Sequence, residues 1–472
     1  MTPPAKAALA QAVLCAAALS TPHSLAQDVT IDGSTLDWPT GEHVQHDESY
    51  VYALLEFDEP VTVYRPGFEV NIRINGDADA STGGPDGEEM WISFGYRGPG
   101  AESGSGLLVT TYAADGTPAP AKPADHGIIA SPTHASRAFE LRISRADPAL
   151  ELRDAGPVAI TIELDKPSGL ESHNAIRELG SAYAEPRHGR PVPTKPEGAI
   201  RVMSWNVLWG GASAEPDAHA RVINAMRPDV VLVQEWTRGE TPAEQVADWF
   251  DANAPWGKRI NGRGWNAASG DGWGVAVATP HPVSARGPQR LMAGGGGRWD
   301  FPVRLASAAI DTPAGEIVFG SIHYKCCGSL DSAEDARRLV EAAAVRGALR
   351  TLAERSEARP VVLGGDFNLV GANTPLFRSI DGLDTDGSDL RAADAAVLNG
   401  AAVYTQGGGD SDYMRSRLDF ITYPDAAYEV VNAFVLDTAL LSESELNRLN
   451  LRRTDHEASD HLPIVVDLRP RP

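Results

Sequence analysis

The apolar residues of this chain occur in short runs whose pattern changes near residue 186. Between residues 28 and 185 the runs are separated by Gly, Pro and Asp clusters, and several alternate apolar with polar residues. A period of two is typical of a half-buried strand, and no long helical period lies among these runs. The pattern predicts a β-sandwich. Its expected strands are Tyr50–Phe57, Phe68–Ile74, Met90–Tyr96, Leu107–Tyr112, Ala138–Ile143 and Val158–Leu164.

Residues 199–472 follow a different pattern, because apolar β runs alternate with helix-like stretches. The clearest helix is predicted at Ser332–Glu354, where Leu339, Ala343, Val345 and Leu349 form one apolar stripe. The alternation indicates a second domain that contains both helices and strands. Its expected strands are Ile200–Val207, Val230–Val233, Gly274–Ala278, Ile317–Ile322, Pro360–Leu363, Leu418–Ile421 and Ile464–Leu468.

The remaining segments indicate how these domains are joined and in which compartment the protein is located. Proline recurs at positions 186, 191, 193 and 196, which predicts a stiff linker over residues 186–198. The linker would separate a β-sandwich domain (28–185) from a second domain at 199–472. Residues 1–27 have the charged start, apolar middle and small-residue cleavage site of an export signal. We therefore expect an exported protein, either periplasmic or secreted.

Composition narrows the classes of function. The chain has 472 residues, which suits two domains, and its 64 acidic against 41 basic residues give a net charge of −23. No apolar run reaches the roughly 18 residues of a membrane-spanning helix, so we expect no membrane span. The acidity disfavours long-range attraction to nucleic-acid backbones or anionic lipid. Three cysteines exclude a scaffold built on disulfides.

Polar residues recur where the apolar strands of the second domain end. Strand ends place side chains in a shared crevice at one edge of a sheet. Taken singly, each of these residues is typical of a cap or turn, but the ordered series indicates a site. Its carboxylate, amide and imidazole groups favour Mg²⁺ or Mn²⁺ over structural zinc. The series is Asn206, Glu235, His323, Asp366, Asn368, Asp419, Asp460 and His461.

The motifs around these residues resemble the endonuclease/exonuclease/phosphatase superfamily of DNase I-like enzymes, in the family's order and across residues 199–469. The resemblance implies a four-layer α/β sandwich, with two central sheets flanked by helices, in an overall α+β chain. Gly365-Asp366-Phe367-Asn368 and Ser459-Asp460-His461 are specific together. The other matching pieces are Met203-Ser204-Trp205-Asn206, Val233-Gln234-Glu235, Ile322-His323 and Leu418-Asp419-Phe420-Ile421.

The resemblance also implies roles for the matching residues. Glu235 would be the principal Mg²⁺ ligand, with Asn206 and Asp460 beside it. Asp366 and Asn368 would position the attacking water, and Asp419 would orient His461. His461 and His323 would face the scissile phosphate, and either Asp366 or His461 would act as the base. Candidate phosphate contacts on the rim are Arg298, Arg304 and Lys325.

The expected activity is therefore metal-dependent hydrolysis of phosphate esters, with a phosphodiesterase or nuclease as the leading expectation. Residues 199–472 would be sufficient for catalysis, and the β-sandwich at 28–185 would be an accessory domain. Sphingomyelin-type phospholipids and small phosphate esters are the alternative substrates, and a non-catalytic surface or glycan-binding protein is the alternative class. The β domain loosely resembles family 9-like carbohydrate-binding and DOMON-like sandwiches, which implies a glycan or surface ligand. Its acidic loop Asp77–Glu88 fits either a Ca²⁺ site or a solvated hairpin.

Adjacent cysteines follow the strand that ends at His323. Cys326 and Cys327 lie on the rim of the predicted site. In an oxidising compartment a strained disulfide between them is one interpretation, and two ordinary thiols are the other.

Overall fold

The computed structural model describes residues 29–62, 69–95, 107–150, 152–166, 169–186, 189–262, 264–270, 274–294, 300–355, 360–407 and 414–472. The predicted export signal and Arg298 lie outside these residues. No helix in the described part is both long and apolar enough to cross a membrane.

The N-terminal domain is built from strands, as its alternating pattern predicts. Strands β1, β2, β8 and β7 form one sheet in that order, and β10, β9, β3, β4, β5 and β6 form the other. Their inward residues share one core, which includes Leu55, Ile72, Phe94 and Phe139. The strands are β1 (Val44–His46), β2 (Tyr50–Val61), β3 (Val70–Asn75), β4 (Met90–Phe94), β5 (Leu107–Tyr112), β6 (Pro118–Ala121), β7 (Ile129–Ser131), β8 (Ser136–Ser144), β9 (Gly156–Lys166) and β10 (Gly169–Leu179).

The second domain alternates helices and strands. Its strands are β11 (Ile200–Asn206), β12 (Val230–Gln234), β13 (Asn266–Ser269), β14 (Ala276–Thr279), β15 (Val283–Arg286), β16 (Leu291–Ala293), β17 (Phe301–Val303), β18 (Leu305–Thr312), β19 (Gly315–His323), β20 (Val361–Asp366), β21 (Arg391–Ala392), β22 (Ala396–Val397), β23 (Asp419–Tyr423), β24 (Tyr428–Val435) and β25 (Ile464–Pro470). Its helices are α1 (Gly211–Ala214), α2 (Pro216–Met226), α3 (Ala243–Asn253), α4 (Gly257–Asn261), α5 (Ala333–Arg355), α6 (Thr374–Ile380) and α7 (Glu443–Leu449), with 3₁₀ turns at Thr438–Leu440 and Arg453–Ala458.

These elements form four layers, which confirms the predicted sandwich. One sheet has the order β13-β14-β12-β11-β25-β24-β22, and the facing sheet has the order β15-β18-β19-β20-β23-β21. Because side chains alternate along a strand, Val202 packs between the sheets whereas Trp205 packs under the helices. Helices α2, α3 and α7 cover the first sheet, and α5 and α6 cover the second.

Helix α5 confirms the predicted helix, but its buried stripe is rotated from the expected one. Val345 and Leu349 are buried as predicted, whereas Leu339 is only half-buried. The first turns instead bury Arg338, whose guanidinium donates to the carbonyls of Lys325 and Cys327. The helix therefore ties down the loop behind β19 with a buried charge, which a hydrophobic stripe does not reveal.

The two domains share a core. Ile31, Trp38, Leu54 and Ile129 of the N-terminal domain pack in the same cluster as the residues between the two central sheets. The segment after residue 189 also packs, because Val192 is buried in the cluster beneath α2 and α3. Shared cores of this kind are typical of a single cooperative unit rather than of two separately folded bodies.

The acidic loop of the N-terminal domain binds its own backbone. Asp77 accepts from the amide of Asp79, and a carboxylate oxygen of Glu89 accepts from the amide of Gly76. The loop lies wholly within the described residues, where no three of its acidic ligand atoms gather within 4.8 Å of one another. The Ca²⁺ site there stays a prediction. Trp38 is buried and donates to Glu140, so its ring fills the core.

Candidate active site

The predicted site residues converge at one end of the two central sheets. Asn206 ends β11, and Glu235 follows β12 directly. In the facing sheet His323 and Asp366 end the parallel strands β19 and β20 and lie opposite each other in register. Asp419 begins β23 and pairs antiparallel with Asp366. Strand ends therefore bring the two sheets' polar residues to one crevice, as the sequence predicts.

A glycine makes the approach of β19 and β20 possible. Gly365 has a φ of +140°, and a Cβ atom there would lie 2.1 Å from the carbonyl oxygen of Ile322. Any other residue would push β20 away from β19. The glycine directly before Asp366 is thus a requirement for the spacing of the site.

Two of the site residues adopt left-handed backbone conformations. Glu235 has a φ of +59° and Asn368 a φ of +49°. Asparagine tolerates this region, but a glutamate there is uncommon and marks a position that the surrounding structure constrains. The turn after each strand directs its side chain back into the crevice.

Asp366 lies at the centre of the cluster. Its Oδ2 is 3.5 Å from Nε2 of His323 and 3.9 Å from Nε2 of His461, and it accepts a hydrogen bond from Nδ2 of Asn206 over 3.3 Å. Its Oδ1 accepts from the backbone amide of Asn368 over 2.9 Å. One buried carboxylate therefore contacts groups from both sheets.

His461 and Asp419 form a buried pair. Nδ1 of His461 lies 2.7 Å from Oδ2 of Asp419. Burial alone would lower the pKa of His461, but the Asp419 carboxylate and then Asp366 and Asp460 raise it to about 10. The imidazole is therefore held as a cation whose Nε2 faces Asp366.

His323 has the opposite electrostatic environment. Burial and then the Arg304 guanidinium keep the pKa of His323 well below its usual range. Nη1 of Arg304 lies 3.0 Å from Nδ1 and 3.2 Å from Nε2 of His323. Nε2 of His323 is also 3.6 Å from Oε1 of Glu235. The site thus holds one charged and one neutral imidazole on either side of Asp366.

The residues of the predicted metal site, which are Asn206, Glu235 and Asp460, lie beside these two imidazoles. Burial raises the pKa of Glu235, and the Asp460 carboxylate adds to that effect, while a hydrogen bond with Asn206 opposes it. Burial and then the Asp419 charge raise the pKa of Asp366 well above its usual range. Crowded buried carboxylates of this kind suit a hard divalent cation.

A second arrangement of ligand atoms is also present. In the described residues, Asp366, Asp419 and His461 are the one group of three or more His, Cys, Asp or Glu whose ligand atoms all lie within 4.8 Å of one another. Oδ1 of Asp419 is buried without a hydrogen-bond partner in the described part. The oxygen donors of the crevice therefore fit a divalent cation, although this tight group differs from the predicted set of Asn206, Glu235 and Asp460.

Two residues outside the predicted series, Thr405 and Ser459, hold the Asp419–His461 pair. The hydroxyl of Thr405 donates to Oδ2 of Asp419 over 2.7 Å and accepts from the amide of Asp419 over 3.0 Å. The hydroxyl of Ser459 accepts from the amide of His461 and donates to the carbonyl of Asn206. Ser459 belongs to a matched motif, whereas Thr405 does not.

The rim carries aromatic and cationic groups. The guanidinium carbons of Arg238 and Arg304 lie 6.0 Å and 5.6 Å from the ring centroid of Trp209, which also lies 5.9 Å from the ring of His323. Trp209 was not predicted, because it follows the Asn206 strand in a turn rather than at its end. Of the predicted phosphate contacts, Arg304 therefore lies within the cluster.

The adjacent cysteines are both exposed free thiols, with the two sulfurs 2.9 Å apart. Nζ of Lys325 lies 3.5 Å from Sγ of Cys326. Hydrogen bonding from Cys327, opposed by burial and assisted by the Lys325 charge, lowers the pKa of Cys326 to about 5.

The sequence of the chain matches a known protein family. The sequence profile of the Endonuclease/Exonuclease/phosphatase family matches residues 203–461. No curated protein matches the chain.

Several solved structures resemble the chain over its second half. The catalytic domain of human nocturnin with bound sulfate is 18% identical, covers 59% of this chain and 97% of its own, and has a TM-score of 0.40. A family protein from Bacteroides thetaiotaomicron is 18% identical, with coverages of 59% and 98% and a TM-score of 0.38. TDP2 from C. elegans is 14% identical, with coverages of 59% and 77% and a TM-score of 0.38.

Proposed function

The chain belongs to the endonuclease/exonuclease/phosphatase family of hydrolases, and from that premise we propose that it is a divalent-metal-dependent phosphodiesterase. One observation carries the proposal: two imidazoles with oppositely shifted pKa values flank the buried Asp366 carboxylate. Titratable groups whose environments separate their pKa values are the usual basis of acid and base roles in one site.

The charged member of the pair would serve as the acid. As a cation, His461 carries a proton on each ring nitrogen: Nδ1 donates to Asp419, and the protonated Nε2 faces the crevice. In an in-line displacement, the oxygen of water forms a bond to phosphorus while the bond to the leaving oxygen breaks. Asp366 would accept the proton of the water, and His461 would give its proton to the leaving oxygen.

The neutral member would serve in binding. Arg304 contacts both nitrogens of His323 and brings a positive charge to the crevice. A guanidinium and a neutral imidazole at this position would contact the non-bridging phosphoryl oxygens. Asn368 would hold the position of Asp366, because its backbone amide donates to Oδ1 of that carboxylate.

Glu235, with Asn206 and Asp460, would hold a Mg²⁺ or Mn²⁺ ion that neutralises charge on the phosphoryl oxygens when it is bound. The carboxylates of Glu235 and Asp460 repel each other in the structure, and a cation between them would relieve that repulsion. One carboxylate oxygen of Asp419, Oδ2, already accepts a hydrogen bond from Nδ1 of His461. We therefore assign the ion to the Glu235 side of the crevice.

The leading substrate is a nucleic-acid phosphodiester, with sphingomyelin-type lipid and small phosphate esters as alternatives. We further propose that the protein is exported, and that the β domain contacts a glycan or a surface. These proposals rest on the sequence patterns described above.

The direct test is a panel of substrates with purified protein and Mg²⁺ or Mn²⁺. Plasmid DNA, RNA, sphingomyelin vesicles and bis-p-nitrophenyl phosphate separate the substrate classes. We expect cleavage of at least the small phosphodiester, its loss in EDTA and its return with Mg²⁺. Failure on every substrate with both ions, or full activity after EDTA treatment, would contradict the proposal.

A further inference from the structure

We propose that the β-sandwich domain is a structural part of the active site, because it holds the segment that positions Asp419 and His461. We call this segment the catalytic ribbon and define it as residues 404–407 and 414–419. The inference rests on the proposed function for its catalytic consequence, but its structural basis is independent. It replaces the expectation that residues 199–472 suffice for catalysis.

The inner side of the catalytic ribbon supports the catalytic pair. Its two arms pair at Gln406 and Ser416, which exchange backbone hydrogen bonds of 2.9 and 3.0 Å. The carbonyl of Thr405 accepts from the amide of Leu462, and the amide of Gly407 donates to the carbonyl of Asp460. The ribbon thus brackets the backbone on both sides of His461, in addition to the Thr405 hydroxyl that binds Asp419.

The outer side of the catalytic ribbon pairs with the β domain. The amide of Ala130 in β7 donates to the carbonyl of Arg415, and the amide of Arg415 donates to the carbonyl of Ile128. Just before the ribbon, the amide of Val403 donates to the carbonyl of Ile31. The β domain therefore pairs with the 414–419 arm of the ribbon and with the residue that precedes its 404–407 arm.

A side chain of the ribbon is inserted into the sandwich itself. Met414 has no exposed surface and belongs to the core cluster of the β domain rather than to any core of the second domain. Three residues after Met414, the backbone amide of Arg417 donates to the hydroxyl of Thr133 over 2.9 Å. The arm that leads to Asp419 is thereby anchored by a buried apolar residue and a side-chain hydrogen bond.

A second catalytic loop meets the same face of the β domain. The amide of Ala135 donates to the carbonyl of Gly371 over 2.7 Å, three residues after Asn368. The loops on either side of the Asp366–Asp419 strand pair therefore both contact the segment that follows β7. An isolated two-stranded ribbon is only marginally stable, so these contacts supply the rigidity that the Asp419–His461 pair needs.

The test uses the full chain. It compares substitutions at Met414 and Thr133 with a control substitution in the sandwich core. Met414→Ala removes the anchor, Met414→Leu restores its volume, and Thr133→Val removes the acceptor for the Arg417 amide. Ile72→Ala is the matched control, because Ile72 is equally buried in the sandwich but lies on β3, in the other sheet. Each variant is assayed for kcat and KM on bis-p-nitrophenyl phosphate at a temperature where it is folded.

We expect Met414→Ala to lower kcat by on the order of tenfold to a hundredfold with little change in KM, since the substrate contacts remain while the catalytic groups shift. Thr133→Val should lower kcat less, Met414→Leu should recover most of it, and Ile72→Ala should keep it despite a similar loss of thermal stability. Equal kcat values for Met414→Ala and Ile72→Ala would overturn the proposal.

A second measurement does not depend on activity. Amide hydrogen exchange at Gln406 and Ser416 should accelerate in Met414→Ala and in Thr133→Val by more than the loss of global stability explains, whereas in Ile72→Ala it should change only as much as that loss explains. Unchanged protection of both amides in Met414→Ala would overturn the proposal even if the wild-type protein cleaves none of the substrates. A wild-type protein without activity but with the expected exchange pattern would overturn the proposed function alone.

Discussion

Oδ2 of Asp419 accepts a hydrogen bond from Nδ1 of His461 over 2.7 Å, and both side chains are almost entirely buried. The same oxygen also accepts from the Thr405 hydroxyl. This carboxylate therefore fixes the orientation of the imidazole and stabilises its charged form. The pair joins the two central sheets, because Asp419 begins β23 in one sheet and His461 precedes β25 in the other.

Replacing Asp419 by Asn should change the charge state of His461. The Asp419 carboxylate is the main cause that raises the pKa of His461 to about 10, against the effect of burial. Without that charge, burial dominates and the imidazole should lose its proton at a much lower pH. Titration of the His461 ring by NMR in metal-free protein measures this directly.

The same substitution should lower kcat on bis-p-nitrophenyl phosphate by on the order of 10²–10⁴-fold, as loss of an orienting carboxylate does in other hydrolases. His461→Ala should cost at least as much, and the double variant little more, because the two residues act as one unit. Multiplying losses in the double variant would show that the two residues act separately.

Most of the candidate site could be predicted because it lies at strand ends. The runs that end at Asn206, His323 and Asp366 are mostly apolar and stop at a polar residue, so the position of each side chain follows from the end of the strand. Thr405 could not be predicted in this way. Its role depends on contacts with a strand that begins fourteen residues later and with Leu462, and no local pattern encodes such contacts.

Replacing Glu235 by Gln should weaken metal binding while preserving the fold. The amide keeps the size of the side chain but removes the charge that a divalent cation requires. We expect the Mg²⁺ concentration for half-maximal activity to rise by at least about tenfold, which corresponds to about 1.4 kcal/mol of binding free energy. Glu240→Gln is the matched control, because Glu240 is exposed five residues away.

A Mg²⁺ titration of activity, together with direct calorimetric measurement of Mg²⁺ binding, decides the outcome. Equal half-saturation in Glu235→Gln and wild type would remove Glu235 from the metal site. The tight group of Asp366, Asp419 and His461 would then be the alternative location for the ion.

Replacing Thr405 by Val should loosen the catalytic pair without filling or emptying the core. The substitution leaves the shape nearly unchanged but removes the donor to Asp419 and the acceptor for the amides of Leu418 and Asp419. Leaving buried groups without partners costs about 1–3 kcal/mol each. We expect a lower midpoint of urea unfolding and a kcat reduced by on the order of tenfold.

Thr351→Val is the control for this substitution, since Thr351 is exposed on α5 and its hydroxyl donates to the carbonyl of Gly347 within the same helix. A Thr405→Val protein with wild-type kcat would show that Asp419 is positioned adequately by His461 alone.

The parts of the fold that could not be predicted are those whose sequence lacks a clear alternation. Strand β10 was not predicted, because its polar residues leave Ile176 exposed rather than buried. Strand β18 was not predicted either, since its Ala-rich sequence has no β-branched run. Burial of Met414 in the other domain is likewise a tertiary effect, because nothing near it in the sequence indicates a partner more than 200 residues away.

The two domains should unfold together. Ile31, Trp38 and Ile129 share a core cluster with the residues between the central sheets, so unfolding either domain would expose part of the core of the other. We expect one calorimetric transition, and Ile72→Ala, a substitution that typically costs about 2–5 kcal/mol, should lower the temperature of the whole transition. Two resolved transitions, with Ile72→Ala shifting only one of them, would instead support the two-body organisation expected from the proline-rich segment.

Cys326 should react with alkylating agents at unusually low pH. Hydrogen bonding from Cys327, with the Lys325 charge assisting, lowers the pKa of Cys326 to about 5, so its thiolate is already the main form at pH 6. Because the thiolate is the nucleophile, the rate of alkylation by iodoacetamide should change little between pH 6 and 8, whereas an ordinary thiol reacts about tenfold faster per pH unit in that range.

Peptide mapping assigns the modified cysteine, and Cys327→Ser is the decisive variant. The serine hydroxyl can still donate to Cys326, so this variant should keep the flat profile, while Cys327→Ala removes the donor and should restore a rate that rises with pH. A steep rise in the wild-type protein would mean that the adjacent thiols do not share a proton in solution.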